Sequence, residues 1–288
     1  MSGQLTLVGT PIGNLSDLSP RAQEALRDCD AVAAEDTRVT LRLLNAFGLK
    51  KPLVSYHEHN KEESGRRLCA RMQAGEHIVL VTDAGMPAIS DPGEALVALC
   101  HAEGIPVRAV PGPTAVATAV ALSGLPSGRF TFEGFLSVNK PGRREHLRSL
   151  QNETRTMVFY EAPHKLLTTL RDFYAAFGDR RIALCRELTK IYEETVLTTL
   201  SAAIRTYEAE PPRGEFVLVL EGAREVSAAA PSATWEEAVA WAGAQRDAGM
   251  RTSEAAREAA ARFGYTRQEL YRALTQEDYT PSTGGNEQ

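Results

Sequence analysis

The sequence predicts an α/β protein with two α/β domains, the first built on a mostly parallel sheet and the second on a mixed sheet, followed by a C-terminal helical segment. Three observations lead to this prediction. Short apolar runs alternate with helical patterns over the first 124 residues, as in a parallel sheet covered on both faces. Later in the chain two strand-like runs follow each other with no helix between them, and the last patterns are helical only.

Composition shifts along the chain mark its predicted segments. Turn-rich Ser123–Gly128 separates the two domains, and an Ala/Ser/Pro-rich stretch precedes the last helices. The predicted segments are an N-terminal α/β domain (1–124), a C-terminal mixed α/β domain (125–224), a linker (225–233), a helical segment (234–275) and a disordered tail (276–288).

The first domain is predicted to alternate five strands with five helices. Its strands are Leu5–Val8, Ala31–Ala34, Pro52–Ser55, Ile78–Val81 and Val107–Val110. Its helices are Pro20–Cys29, Thr37–Phe47, Lys61–Ala74, Pro92–Ala102 and Thr114–Leu122. Because an Asp side chain can accept hydrogen bonds from the free N–H groups of a helix start, we expect Asp36 and Asp91 to cap the second and fourth helices, with Pro92 first in the fourth.

The second domain is predicted to contain five strands and two helices. Its strands are Phe130–Phe135, Thr156–Tyr160, Ile182–Cys185, Thr195–Thr199 and Phe216–Leu220. Its helices are Arg143–Leu150 and His164–Phe177. The helical segment is predicted to contain three helices, Trp235–Asp247, Ser253–Phe263 and Thr266–Leu274.

Composition narrows the class of protein. The chain has 288 residues, 43% of them hydrophobic, and a formal net charge of −5, so any binding of nucleic acid must depend on local basic patches. Its four cysteines are far apart in sequence and are expected to be buried, reduced thiols. No apolar run is long enough for a membrane span, and no signal-peptide pattern opens the chain. We therefore expect a soluble cytoplasmic protein.

Three Gly/Pro-rich loops follow predicted parallel strands. They are Gly9–Asn14, Asp83–Gly93 and Pro111–Ala115, and none carries the G-x-G-x-x-G or G-K-S/T pattern of nucleotide-binding loops. Loops at the carboxyl ends of parallel strands share one edge of the sheet, which is where open α/β sheets bind ligands. The sequence therefore predicts a preformed cleft for a ligand with an apolar body and several polar groups.

These loops and two further motifs resemble the ribosomal small-subunit RNA 2′-O-methyltransferase I family, part of the tetrapyrrole-methylase-like group of S-adenosylmethionine enzymes. The motifs, in family order over about residues 5 to 222, are Gly9–Leu15, Glu35–Arg38, Asp83–Gly93, Pro111–Ala115 and Arg186–Lys190. The resemblance implies two α/β domains with S-adenosylmethionine bound between them, a helix-turn-helix-like C-terminal segment, and a homodimer. It also implies 2′-O-methylation of a cytidine ribose in the decoding region of small-subunit (16S) rRNA.

The predicted cofactor contacts follow the three loops and two motifs of the second domain. Tyr160 is placed at the far wall of the cleft by the resemblance, and Gly214 could allow close approach of the adenine; an ordinary sheet-edge tyrosine and a glycine that starts a strand are the alternatives. The predicted contacts are Thr10, Pro11, Gly13, Asp83, Ala84, Gly85, Ile89, Ser90, Thr114, Ala115, Tyr160, Gly214 and Phe216.

Methyl transfer from a sulfonium needs in-line positioning and removal of one hydroxyl proton, and it needs no metal. Lys190 and Glu187 are equal first candidates for the proton acceptor, ahead of Glu35 and Asp36; a solvated turn and a helix cap are the respective structural alternatives. No metal site is predicted, because His57–His59 lacks a third ligand.

Local basic residues are the candidates for RNA contact. Arg38 could hold a phosphate through its planar guanidinium, and the loop and helix start around Lys140 form the most basic stretch, although a solvated helix face explains it equally well. The predicted RNA contacts are Arg38, His57, Lys140, Arg143, Arg144 and Arg186.

The sequence thus favours a methyltransferase that acts on 16S rRNA, within the small ribosomal subunit. A corrin or porphyrin methyltransferase on the same scaffold is one alternative, although the basic stretch and the terminal helices have no use on a small tetrapyrrole. A ribosome-assembly factor that binds the cofactor without catalysis is the other.

Overall fold

The computed structural model describes residues 3–223 and 234–275. The chain divides into two compact units, Met1–Ala223 and Arg224–Gln288. The linker predicted at 225–233 and the tail predicted at 276–288 lie outside the described residues. Within the described residues, every helix is too short or too polar to cross a bilayer.

The first unit begins with a five-stranded sheet in which every neighbouring pair is parallel. The strands have the order β3-β2-β4-β1-β5. They are β1 (Gln4–Val8), β2 (Ala31–Ala34), β3 (Leu53–Ser55), β4 (His77–Val81) and β5 (Val107–Val110). Because parallel strands need crossover connections, a helix follows each strand. These helices are α1 (Pro20–Asp28), α2 (Thr37–Ala46), α3 (Lys61–Gln73), α4 (Glu94–Ala102) and α5 (Ala115–Leu122).

Successive side chains of the buried strand β4 pack against helices on opposite faces of this sheet. Val79 and Val81 pack with residues of α1 and α2, and Ile78 and Leu80 pack with residues of α3 and α4. A strand that is buried on both faces reads as a continuous apolar run, which is how the sequence revealed β4.

The second sheet of the same unit is mixed, as predicted. Its order is β6-β7-β10-β8-β9, with β6 and β7 parallel and the other neighbours antiparallel. The strands are β6 (Phe130–Phe135), β7 (Thr156–Glu161), β8 (Arg181–Arg186), β9 (Glu194–Thr199) and β10 (Phe216–Leu220). Helices α6 (Lys140–Ser149), α7 (Pro163–Phe177) and α8 (Leu200–Ala209) complete this part.

Helix α5 joins the two sheets. Its residues Val116, Ala119 and Val120 pack against one face of the second sheet, around Val158 and Val217, although α5 directly follows β5 of the first sheet. The opposite face packs against α6, α7 and α8. The turn predicted as a domain boundary, Ser123–Gly128, lies between α5 and β6.

Helix α8 was missed by the sequence analysis. Thr199 is its N-cap and its side chain accepts a hydrogen bond from Ala202 N. Leu200 and Ala203 are buried against the second sheet. The capping threonine and the apolar spacing are ordinary helix signals, but they follow directly on a strand of alternating pattern, which hid the change of period.

The predicted start of α4 is wrong. The helix begins at Glu94 with Gly93 as its N-cap, and that N-cap makes no side-chain hydrogen bond. Gly93 has φ +150°, and a Cβ there would lie 3.1 Å from Ala88 Cβ, so the chain makes a tight turn after Pro92 before the helix starts. The side chain of Asp91 is thereby free to line a cavity instead of capping a helix.

The second unit contains three short helices, α9 (Trp235–Asp247), α10 (Thr252–Phe263) and α11 (Arg267–Thr275). A capping box at Thr234 and Glu237 fixes the start of α9. Small alanines and Leu270 form the buried centre, and Trp235 and Trp241 pack against it. This predicted helical segment is therefore present.

Candidate functional site

A cavity of about 530 Å³ lies between the two sheets of the first unit. Its walls come from the carboxyl ends of β2, β4, β6, β7 and β8, and from the start of β10. All three predicted Gly/Pro-rich loops reach it, through Ile12, through the segment from Asp83 to Asp91, and through Thr114 and Ala115. A cavity of this size at the strand ends of an α/β protein suits a small organic ligand.

Nine of the predicted cofactor contacts line this cavity. They are Asp83, Ala84, Gly85, Ile89, Ser90, Thr114, Ala115, Tyr160 and Phe216. Two of the four predicted proton acceptors, Glu35 and Lys190, line it as well. The structure therefore brings together residues that are up to about 180 positions apart in the chain, as expected of a site assembled from many strand ends.

The remaining four predicted cofactor contacts lie outside the cavity lining. Thr10 is buried and forms a two-way backbone pair with Gly85, its N–H donating at 2.9 Å and its carbonyl accepting at 3.1 Å. Pro11 lines a separate, smaller cavity beside α2. A Cβ at Gly13 would lie 2.6 Å from Lys190 Cγ, and one at Gly214 would lie 2.5 Å from Glu187 Cγ. Both glycines thus make room for the β8–β9 loop.

Two loops cross at a pair of glycines. A Cβ on Gly9 would lie 2.7 Å from Gly112 Cα, and one on Gly112 would lie 2.8 Å from Gly9 Cα. Since backbone atoms obstruct both positions, neither can accept a side chain without moving a loop. The crossing fixes the first loop against the third.

Strained backbone is concentrated in the loops around the cavity. In the part of the chain that the structure describes, non-glycine residues with positive φ are Ala88 (+68°), Ser90 (+67°), Glu187 (+51°) and Thr189 (+65°). Each such residue costs of order 1–3 kcal/mol and persists only where its surroundings enforce it. Two of them belong to the loop after β4 and two to the β8–β9 loop, so both cavity walls are rigidly shaped.

Three carboxylates of the first sheet's loops face the cavity. Glu35 Oε2 accepts a hydrogen bond from Thr82 Oγ1 at 2.8 Å, and Asp83 Oδ1 accepts one from the Asp36 backbone N–H at 3.1 Å. Burial, reinforced by the charge of Glu35, raises the pKa of Asp91 to about 6. Burial also raises the pKa of Asp83. This wall of the cavity is therefore negative and favours a cationic ligand.

Asp36 lies outside the cavity lining and acts as the cap that the sequence predicted. It accepts a hydrogen bond from Arg38 N at 2.8 Å and forms an ion pair with the Arg38 guanidinium, Oδ2 to Nη2, at 2.6 Å. The Arg38 side chain holds the pKa of Asp36 at about 2. Arg38 itself is 87% exposed.

The opposite wall holds a lysine between two carboxylates. Lys190 Nζ lies 2.9 Å from Glu187 Oε1 and 2.9 Å from Glu215 Oε2. Burial disfavours the charged amine, but the hydrogen bonds to both carboxylates outweigh it and the pKa of Lys190 is raised. The Glu215 backbone N–H and then Lys190 lower the pKa of Glu187. The pair is thus charged, with Glu187 behind the lysine.

The basic stretch around α6 contains two kinds of cation. Arg143 is only 14% exposed, donates to Asp172 at 2.6 Å and to Thr169 at 2.8 Å, and so ties α6 to α7. Lys140 and Arg144 are exposed.

The other two predicted RNA contacts lie away from the cavity lining. Arg186 pairs with Glu194 at 2.9 Å and lines a second cavity on the far side of β8. His57 is half-buried, and its backbone N–H donates to Asn60 at 2.8 Å. Among the described residues, no group of three or more His, Cys, Asp or Glu side chains has the arrangement of a metal site. All four cysteines are buried and unpaired.

Several lining residues escaped the sequence analysis. They include Asp91, Phe135, Glu161, Cys185 and Glu215. Asp91 was expected to cap a helix. Glu161, Cys185 and Glu215 are each next in sequence to a predicted site residue, whereas Phe135 is not. These four residues share a position at or next to a strand end of the second sheet, a signal that sequence spacing alone does not rank.

Comparisons with known proteins agree with this architecture. A sequence model of the family "Tetrapyrrole (Corrin/Porphyrin) Methylases" matches residues 4–204. The chain is 47% identical over 220 residues to "Ribosomal RNA small subunit methyltransferase I" of Thermotoga maritima, covering 76% of this chain and 99% of the relative. It is 44% identical over 278 residues to the protein of the same name from Halalkalibacterium halodurans, covering 96% of both.

Solved structures share the fold at low sequence identity. Uroporphyrin-III C-methyltransferase from Thermus thermophilus, complexed with S-adenyl homocysteine, aligns with a TM-score of 0.51 at 20% identity. The alignment covers 75% of this chain and 97% of that one. The predicted fold class is confirmed, and the chain belongs to the tetrapyrrole (corrin/porphyrin) methylase family.

Proposed function

We propose that the protein is an S-adenosylmethionine-dependent methyltransferase that methylates the 2′-hydroxyl of a cytidine ribose in the decoding region of 16S rRNA. The observation that carries this proposal is the identity of 44–47% with relatives named ribosomal RNA small subunit methyltransferase I. The cavity with its negative wall supports it, because the sulfonium and the ammonium group of the cofactor are both cationic.

The cofactor fits the lining on chemical grounds. Tyr160, Ile89 and Phe216 offer apolar surface for its adenosyl body, and the turns at Asp83–Gly85 and Thr114 offer polar groups. When bound, the cofactor supplies an activated methyl group. Thr10, Pro11, Gly13 and Gly214 complete the proposed cofactor site by holding the loops that contact it.

The transfer breaks the bond from sulfur to the methyl carbon, forms a bond from that carbon to the ribose oxygen, and releases the hydroxyl proton. We assign the proton acceptor to Glu35, which lines the cavity and is bonded through one oxygen to a neutral hydroxyl. Asp36 is neutralised by Arg38, and Glu187 by Lys190. Lys190 is charged and is assigned to stabilise the developing oxyanion, with Glu187 as its positioning residue.

The RNA contacts remain as predicted from the sequence. Arg38, Lys140 and Arg144 are exposed cations suited to phosphates, whereas Arg143 would act through the position of α6. His57 and Arg186 complete the proposed set. We further propose that the protein works as a homodimer on the small ribosomal subunit in the cytoplasm.

Label transfer from tritiated S-adenosylmethionine tests the function. The acceptors are small ribosomal subunits that lack the modification, free 16S rRNA and uroporphyrinogen III. We expect label in 16S rRNA, recovered as 2′-O-methylcytidine after nuclease digestion. Label in uroporphyrinogen would instead support the corrin/porphyrin alternative, and no label in any acceptor would support the non-catalytic assembly factor.

A further inference from the structure

Strand β6 ends at the mouth of the cavity with an exposed aromatic ring. Phe135 lines the cavity and is 60% exposed. Val138, in the loop that follows, is also largely exposed, at 79%. Isolated exposed apolar residues are common, but a large aromatic ring at the rim of a ligand cavity is typical of a recognition surface.

A β-bulge places this ring. Phe132 pairs with Val158, Gly134 with Phe159 and Phe135 with Tyr160, so Glu133 is an extra residue in β6. In a regular strand Phe132 and Phe135, three positions apart, would point to opposite faces. The bulge brings both to the same face, and bulges near active sites commonly redirect a side chain in this way. Gly134, with φ +63°, permits the turn.

The neighbouring side chains hold the ring in place. Phe132 and Phe135 both contact Tyr160 in edge-to-face geometry, with ring centroids 4.9 and 5.5 Å from it. The displaced Glu133 is bonded to His146 of α6, Oε2 to Nε2, at 2.9 Å. A ring fixed in this way loses little conformational freedom when a ligand binds.

Two basic residues without an ion-pair partner among the described residues, Lys140 and Arg144, follow Phe135 in the sequence. Two arginines of α6 form ion pairs, Arg143 with Asp172 and Arg148 with Glu145, and His146 is hydrogen-bonded to Glu133. Within residues 3–223 and 234–275, no ion pair is found for Lys140 or Arg144, which are exposed at the start of the same helix. An aromatic platform combined with unpaired cations is the usual composition of a surface that binds single-stranded nucleic acid.

We propose that Phe135 is a stacking platform for an unpaired base of the RNA at the cavity mouth, and that Lys140 and Arg144 contact the adjoining phosphates. This inference rests on the proposed function. A nucleotide presented to the cavity must leave its helical stack, and a ring at the rim replaces part of the stacking that is lost. Stacking accepts any base, so Phe135 would contribute affinity rather than sequence selection.

Steady-state kinetics with modification-free small subunits separate this role from cofactor binding. We expect Phe135→Ala to raise KM for the subunit about 5- to 150-fold, the range that alanine substitution of a stacking residue gives. Phe135→Trp should restore KM to within about threefold, and Val138→Ala, the control at an exposed apolar residue of the loop after β6, should behave as wild type. The affinity for S-adenosylhomocysteine, measured by calorimetry, should not change.

Binding of fluorescein-labelled oligocytidylate gives a second readout that needs no turnover. Lys140→Gln and Arg144→Gln should each reduce the slope of log K against log salt by about 0.7, whereas Phe135→Ala should weaken binding with the slope unchanged. If wild type methylates no rRNA but these binding effects occur, the proposed function fails and this inference stands.

Three results would overturn the inference. Phe135→Ala with wild-type KM and wild-type oligonucleotide affinity would exclude a stacking role while leaving the methyltransferase intact. A matching loss of S-adenosylhomocysteine affinity would assign the ring to the cofactor. If light scattering shows that the wild type is a dimer and that Phe135→Ala is a monomer, the ring would be assigned to contact with a second copy of the chain.

Discussion

The side chain of Lys190 makes three kinds of contact. Its stem passes 2.6 Å from the position that a Cβ on Gly13 would occupy, its amine bonds two carboxylates, and its side chain lines the cavity. The sequence identified it as a candidate proton acceptor, with a solvated turn as the alternative. Its second carboxylate partner, Glu215, lies 25 positions away in the sequence and could not be associated with it from spacing.

Replacement of Lys190 tests its proposed role as a permanent cation. We expect Lys190→Met to lower kcat for rRNA methylation about 10²-fold or more, as loss of an oxyanion-stabilising group does, and Lys190→Arg to retain part of the activity. Because its neighbours raise the pKa above the usual 10.5, the ratio of wild-type to Lys190→Met rates should be constant from pH 7 to 9. A ratio that rises tenfold per pH unit would make the lysine the base instead.

Removal of the proposed base, Glu35, should lower kcat more than it changes KM. Glu35→Gln preserves size and should reduce kcat by about 10²- to 10⁴-fold, the usual contribution of proton transfer, with KM changed much less. Asp36→Asn is the matched control, since that carboxylate is next in sequence but lies outside the cavity lining. Single-turnover methylation assays measure both. Equal losses for the two variants would contradict the assignment.

Asp91 should make stability depend on pH. Its pKa is about 6 in the folded protein and 3.8 as its ordinary value, so the folded form binds the proton more tightly. The ionised side chain therefore costs stability, fully above pH 6 and not at all below about pH 3.8. We expect Asp91→Asn to raise the melting temperature by about 2–5 °C at pH 8 and by less than about 1 °C at pH 4.

Calorimetry of the ligand-free protein measures this difference. The exposed Asp17, replaced by Asn, serves as the control and should show no comparable dependence on pH. A gain that is equal at both pH values would mean that the Asp91 carboxyl is not responsible.

At the scale of elements, the strands and helices of the first sheet were largely predictable. Buried parallel strands read as apolar runs, and capping by Asp36 marked the start of α2. The errors occurred where tertiary contacts determine the local backbone conformation. The start of α4 is displaced by a turn whose glycine packs against Ala88, and the bulge in β6 shows only in its pairing with β7.

The loop crossing at Gly9 and Gly112 gives an element-scale prediction. We expect Gly9→Ala to destabilise the protein by about 1–3 kcal/mol, because its Cβ would meet backbone that cannot rotate away, and to weaken S-adenosylhomocysteine binding by opening the cavity. Urea unfolding and calorimetry measure the two effects. Gly128→Ala, at a position with open space, should stay within about 0.5 kcal/mol of wild type.

At the scale of the whole molecule, the sequence revealed the loops that form one side of the site and missed most of the other. The first three loops follow parallel strands, so their meeting at one edge could be predicted. The second sheet is mixed, and strand direction there depends on pairing that spacing does not encode. Phe135 and Glu215 are therefore known only from the fold. Asp91 belongs to a loop of the first sheet, and its place in the lining was missed because the start of α4 is displaced.

The division into two units gives a prediction about truncation. All residues that line the cavity lie between Ile12 and Val217, within the first unit. We therefore expect a chain ending at Ala223 to bind S-adenosylhomocysteine with a Kd within twofold of the full chain, measured by calorimetry. A tenfold loss would show that the helical unit contributes to the cofactor site.

The wall of the cavity also has a kinetic consequence. Ile12 near the start of the first unit and Val217 near its end must both be in place before the pocket exists, so we expect the pocket to be absent from the transition state for folding. A ligand that needs every wall of the cavity cannot accelerate folding if the rate-limiting step comes before the cavity forms. It should instead prolong the lifetime of the folded chain, leaving the refolding rate unaltered and slowing unfolding by a factor of one plus the ratio of the free ligand concentration to Kd.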